Sequence, residues 1–179
     1  MSEVRDVAPG LWVWSRPHPE WRAGFDWPEA VTSTCVESGG EIALLDPLAP
    51  EEGSDVWGRL EARPPTMVVI LKPDHVRDVD LFVRCYGARA YGPWLFWRSD
   101  IPETELEPIE PGSELPGGFV ALSDGRNRNE TPLWLPEQRA LVFADGSPPR
   151  RASYACGQRS GWRRRSPSCA SCSSCRSST

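Results

Sequence analysis

The chain has 179 residues, a formal net charge of -5 and nine tryptophans, which suits one domain with a substantial core and leaves little room for a second. Its charge is divided unevenly, because residues 1–146 hold all 25 acids whereas 147–179 hold seven Arg and no acid. An acidic body excludes a general nucleic-acid surface there, since such surfaces need clustered cations to displace counterions from phosphate, and only the tail has the charge to bind polyanions. No basic segment leads into an apolar run at the N-terminus and no stretch approaches a membrane span, so a cytoplasmic setting without a membrane partner is expected.

Residues 11–14 read as a strand after the turn at Pro9-Gly10, and 17–28 as a Trp- and Pro-rich loop. Residues 31–37 and 41–45 flank Ser38-Gly39-Gly40 and predict a hairpin. Residues 51–62 follow Pro50 and suit a helix, with Val56, Trp57 and Leu60 on one side. The continuous apolar run 67–71 predicts a strand buried on both faces. From His75 to Tyr86 the apolar positions Val76, Val79, Phe82 and Val83 follow one helical stripe, which Gly87 ends. Residues 88–91 form the next strand, so the succession implies parallel pairing with right-handed crossovers. Short strands follow at 105–109, 119–122, 131–135 and 140–143, the last two a hairpin around Pro136-Glu137. Cys35 and Cys85 sit singly in apolar patterns and read as buried thiols.

Three local features then matter together. The segment Glu41-Ile42-Ala43-Leu44-Leu45-Asp46-Pro47 is a strand ending in an acid before a helix. Residues 67–78 are a strand running into Lys72-Pro73-Asp74-His75-Val76-Arg77-Asp78. Ala140-Leu141-Val142-Phe143-Ala144-Asp145-Gly146 is a strand ending in a second acid. In order and spacing these resemble the start of the metallo-β-lactamase superfamily, an αββα sandwich whose loops at one sheet edge hold one or two metal ions. The resemblance covers about residues 5–146. It implies an α/β (α+β) fold comprising the N-terminal half of such a sandwich, with H-x-H-x-D-H ligands expected in 67–78 and a metal-bridging role at Asp145.

The ligand residues depart from that pattern. Aligned on the strand end, Lys72 and Asp74 take the first two His positions, Val76 the Asp and Arg77 the last His. Aligned instead so that Asp74-His75 match the terminal Asp-His, Ile70 and Lys72 occupy the other two His positions. The next family His falls in the loop Asp124-Gly125-Arg126-Asn127-Arg128-Asn129-Glu130, which has none, and the chain holds only His18 and His75. A catalytic zinc site takes three protein ligands and a water. A cation about 4 Å from a metal ion opposes binding by about 4 kcal/mol per unit of ion charge at an effective dielectric near 20. Asp74, His75, Asp78 and Asp145 are the residual metal candidates. Their structural counterpart is Asp74 capping a helix that starts at His75, Arg77 and Asp78 on its solvated face, and Asp46 and Asp145 ending strands.

Elsewhere, His18 lies in a proline loop near Trp12, Trp14, Trp21 and Trp27, either an aromatic ligand lip or cover for the sheet edge. Trp94, Phe96 and Trp97 form a second cluster for which burial is the default. Arg126 and Arg128 offer an anion contact or a solvated turn. Residues 147–179 contain no Leu, Ile, Val, Phe, Asp, Glu or Lys, so they read as a disordered basic arm rich in Ser, Arg and Cys. Cys169, Cys172 and Cys175 repeat at C-x-x-C-x-x-C spacing with Cys156 upstream, which is the pattern of a metal knuckle. A further reading is translation out of frame: in a G/C-rich gene, shifting the Ser-Cys codons by two nucleotides yields Leu codons and a strand-then-helix pattern that the fold lacks here. That reading predicts poor solubility or a molten state for the chain.

The expected domains are therefore 1–146, an incomplete metallo-β-lactamase-like domain, and 147–179, the tail. The first functional reading is a non-catalytic protein without a working metal site and with no cofactor. The alternatives are a metal-dependent hydrolase of esters, thioesters or phosphoesters using zinc or another divalent ion at Asp74, His75 and Asp145, and tail-mediated nucleic-acid or Cys-metal binding.

Overall fold

The computed structural model describes residues 2–97, 100–125 and 128–145. Seven strands form one sheet in sequence order: β1 (Glu3–Ala8), β2 (Leu11–Pro17), β3 (Ala30–Ser38), β4 (Glu41–Leu45), β5 (Met67–Val69), β6 (Arg89–Gly92) and β7 (Glu107–Pro108). Pairing is antiparallel from β1 to β4 and parallel from β4 to β7. The first two parallel crossovers carry helices, α1 (Asp55–Ala62) and α2 (Val79–Tyr86). A second sheet runs in the order β11 (Ala140–Val142), β10 (Leu133–Leu135), β9 (Phe119–Ala121), β8 (Glu114–Leu115). The chain divides into a unit spanning Met1–Ala144 and another spanning Asp145–Thr179. The basic arm, its cysteine repeat and Arg126 lie outside the described residues.

Successive strand side chains point to opposite faces, and this alternation sorts the core into two clusters. On one face of the large sheet Leu11, Val36, Leu45, Met67, Val69 and Tyr91 meet Leu115, Phe119, Leu133 and Leu135 of the small sheet. On the other, Trp12, Trp14, Leu44, Val68 and Ile70 meet Val56 and Leu60 of α1 and Val79 and Phe82 of α2. All three residues of β5 are fully buried, as its unbroken apolar run requires. Each large side chain so buried contributes about 1.5–3 kcal/mol. The layers are thus helices, large sheet and small sheet, an α+β sandwich. On the outer face of the small sheet, Trp134 stands opposite both Val120 and Leu141, and Leu141 is 50% exposed.

Several expectations need correction. The helix expected from His75 starts at Val79, because Arg77 adopts a left-handed conformation (φ 45°) that no continuing helix can contain. Asp78 takes the N-cap position, but its side chain makes no cap hydrogen bond. Asp74, expected as the cap, instead meets Lys72 (Asp74 Oδ2 to Lys72 Nζ, 2.9 Å). The helix expected from residue 51 begins at Asp55, where Ser54 Oγ accepts from Val56 N. Cys35 is buried but Cys85 is exposed, on the outer side of α2. Trp94 and Trp97 are 67% and 63% exposed rather than buried, and Phe96 alone of that cluster packs inward. Strand β1 was not anticipated, since Glu3-Val4-Arg5-Asp6 is too polar to signal a strand, yet it forms the sheet edge and its Asp6 pairs with Arg59 of α1 at 2.7 Å.

Candidate functional site

Strands β4 and β5 end side by side, and the chain leaving β4 is held on all sides. Asp46 N donates to Val69 O (2.9 Å), Asp78 N to Pro47 O (3.2 Å), Leu48 N to Ser33 Oγ (2.8 Å) and Ala49 N to Asp78 Oδ2 (2.7 Å). The carbonyls of Asp46, Leu48 and Ala49 accept from Arg77 Nη1 (2.6 Å), Trp14 Nε1 (2.9 Å) and Arg16 Nη1 (2.6 Å). Every backbone donor and acceptor of residues 46–49 therefore has a partner, which is what allows so irregular a segment to lie against the core. Arg77 also reaches Thr32 O (2.9 Å), so its guanidinium ties β3 to the end of β4 instead of facing solvent.

Asp46 is the centre of this end. It is 4% exposed, adopts φ 46°, and accepts Leu71 N at Oδ1 (2.7 Å) while Oδ2 meets His75 Nδ1 (2.9 Å). One carboxylate thus fixes both the end of the β5 segment and the imidazole that follows it. Thr131 N donates to Leu71 O (2.7 Å), which brings the 128–131 loop alongside. In that loop Glu130 is 6% exposed and its Oε2 accepts from Ala144 N (2.7 Å). The sequence reading passed over Glu130 because the surrounding Arg and Asn residues read as a solvated turn; the available signal was an acid set directly before the apolar strand pattern of 131–135. Arg128 N donates to Asp124 Oδ2 in the same turn.

His18 approaches from the β2–β3 loop. Its ring packs edge-on against Trp27 (5.3 Å), and its Nδ1 accepts from Glu20 N (3.2 Å). Burial pushes the His18 imidazole below its ordinary range, the Arg77 cation adds to this, and Glu20 and Asp78 oppose it. Asp100, from the segment after β6, is pushed up by burial and then by the Glu20 and Asp74 carboxylates, while His18 and His75 pull it down. His18, Glu20, Asp74, His75 and Asp100 therefore share one electrostatic neighbourhood, assembled from three loops. Nothing in the Trp-rich stretch before Asp100 carried a periodic signal that could have placed it there. Trp12 and Trp14 are not part of this lip; they are buried beneath α1, where Arg59 stacks on Trp12 (5.3 Å).

The acids at this end have partners within the chain. Asp46 is spent on a backbone amide and an imidazole, Asp78 on Ala49 N, and Asp74 on the Lys72 ammonium. Among the described residues, no group of three or more His, Cys, Asp or Glu side chains converges to hold an ion. Asp145 belongs to the second unit of the chain. No described helix is long and apolar enough to cross a membrane.

No protein-family model matches the chain, and no curated protein matches it by sequence. Solved structures do. A metallo-β-lactamase from Hirschia baltica is 14% identical with a TM-score of 0.53, the match covering 78% of this chain and 69% of that one. The metallo-β-lactamase FIM-1 from Pseudomonas aeruginosa, solved in a mono-zinc form, is 19% identical with a TM-score of 0.53 over 76% of this chain and 66% of its own. TTHA1623, solved in a di-iron-bound form, is 22% identical with a TM-score of 0.52 over 72% and 79%. This chain thus spans roughly two thirds of the first two, and identities this low speak to architecture rather than chemistry. Two face-to-face sheets, helices outside the larger one and a strand-end Asp beneath the β5–α2 loop give this chain the metallo-β-lactamase fold.

Proposed function

We propose that this is a metallo-β-lactamase-fold protein without a working metal centre, which serves as a binding or structural module rather than as a catalyst. The observation that carries the reading is the use made of the acids at the β4–β5 end: Asp46, Asp74 and Asp78 each bond to a backbone amide, an imidazole or an ammonium. A ligand set needs lone pairs directed at one point and no cation within it. Here Lys72 and Arg77 occupy that neighbourhood, and Arg77 is locked there by two carbonyls.

Metal content tests the reading. The full chain, expressed with zinc, manganese and iron supplied in turn, is expected to purify with substoichiometric metal and to leave ester, thioester and phosphoester substrates intact. Stoichiometric metal that disappears together with hydrolysis in His75→Ala or Asp145→Ala overturns it in favour of a hydrolase with an unusual ligand set.

A further inference from the structure

Residues 18–29 link β2 to β3 without a helix or strand, and every one of them is at least partly exposed. With no side chain in the core, this loop keeps its shape through a few contacts, and His18 makes most of them. His18 N donates to Glu29 O (2.9 Å) and closes the neck of the loop, while His18 O accepts from Trp21 N (3.0 Å). Its Nδ1 accepts from Glu20 N (3.2 Å), and its ring meets the edge of Trp27. Away from His18 the loop has Phe25 N on Arg22 O (3.2 Å), Trp21 Nε1 on Trp27 O (2.9 Å) and the Phe25–Trp27 ring contact. A segment that buries so little apolar surface opens at a free energy far below that of global unfolding, so a small bias decides its state.

One of the His18 contacts depends on a proton. The Glu20 amide can only donate, so Nδ1 must present a lone pair, which the neutral ring does with its proton on Nε2 and the imidazolium cannot. Protonation turns that acceptor into a second donor facing an amide hydrogen. Burial, then Arg77 of the β5–α2 loop, and Arg16 of β2 disfavour the cation, whereas Glu20 and Asp78 favour it, as does Asp100 from the stretch after β6. The balance lies with the neutral ring. A proton that binds the open loop more tightly than the closed one shifts the population toward the open form by that difference in affinity. We propose that the β2–β3 loop is a proton-released flap beside the β4–β5 end: neutral His18 holds it closed, and the imidazolium frees Glu20 to Trp27. The inference holds whether or not that end binds a metal.

Hydrogen–deuterium exchange of the full chain tests this, read as protection factors so that the intrinsic pH dependence of amide exchange is removed. Between about pH 7.5 and about pH 5.5, protection of Glu20 to Trp27 is expected to fall several-fold in the parent while the β3 amides keep theirs. His18→Asn carries a permanent acceptor near the Nδ1 position and should stay protected at both pH values. His18→Lys is a permanent cation without an acceptor and should be unprotected at both. His75 is the other imidazole of the chain, so His75→Gln should respond as the parent does. Constant protection in the parent, an equal fall in His18→Asn, parent-like protection of His18→Lys near pH 7.5, loss of the response in His75→Gln, or an equal fall across β3 (general unfolding) each overturn the proposal.

Discussion

Replacing Asp46 by Ala removes the carboxylate that joins the β4 end to Leu71 N and His75 of the β5–α2 loop. Leu71 is 1% exposed, so its amide has no access to water once Oδ1 is gone, and losing a charged acceptor from a buried donor costs about 1.5–3 kcal/mol. The His75 contact at 2.9 Å adds about 1 kcal/mol. Ala at φ 46° adds roughly 1 kcal/mol more, because the left-handed region is tolerated by Asp, whose short polar side chain hydrogen-bonds locally, and not by Ala. The total of about 4 kcal/mol is a large share of a stability of about 5–15 kcal/mol. In urea, where slopes of about 1–3 kcal/mol per molar are usual, the unfolding midpoint should fall by about 2 M. Asp46→Asn keeps an acceptor for Leu71 and tolerates the conformation, so it should cost only about 1 kcal/mol. Equilibrium denaturation followed by tryptophan fluorescence and by far-ultraviolet circular dichroism measures both variants. If the Ala variant lies within about 0.5 kcal/mol of the parent, or if Ala and Asn cost the same, the carboxylate does not hold this end together.

Burial holds the His18 imidazole below its ordinary value, so the folded chain takes up that proton less readily than the unfolded one. The sign follows: the contribution is complete above the unfolded value near pH 6.5 and is lost as pH falls through the folded value. The melting temperature of the parent should therefore decline more steeply between about pH 7 and pH 5.5 than that of His18→Gln, and parallel slopes refute the assignment. Burial likewise pushes the Cys35 thiol up to about 12, whereas Cys85 is exposed. Peptide mapping after brief iodoacetamide treatment of native protein should find Cys85 alkylated and Cys35 protected until denaturant is added. At Gly117 (φ 84°) an added Cβ meets Ser38 O at 2.9 Å, while at Gly118 (φ 77°) it meets nothing within 4 Å. Gly118→Ala should cost about 1 kcal/mol from backbone conformation, and Gly117→Ala about 1–3 kcal/mol beyond that; denaturation midpoints for the two variants decide it.

The large sheet was legible because its strands announce themselves. Residues 41–45 and 67–71 are apolar runs bounded by Gly and Pro, and the helical stripe of Val79, Phe82 and Val83 survives intact in α2. What the pattern could not supply was the start of that helix. Val76 fits the helical stripe, yet Arg77 adopts a left-handed conformation there and satisfies two carbonyls contributed by residues 32 and 46. Such tertiary contacts leave no periodicity behind them. The same holds for Asp100 and Glu130, each placed beside the β4–β5 end by loops whose course depends on packing. For the exposed tryptophans the error ran the other way: a general tendency to bury aromatics was applied to a segment whose neighbours are Pro and Glu, residues that favour the surface.

The large sheet has one more consequence, for the order in which the molecule can assemble. Its strands lie side by side in the order in which they are translated, so each arriving segment finds its neighbour already in place at the growing edge. Seven rungs are laid by Pro108, before any strand of the small sheet has been synthesised. A ribosome-bound chain can thus build this layer by successive short-range additions, and the slow, long-loop searches that penalise β-rich topologies are confined to the closing of the smaller sheet upon it.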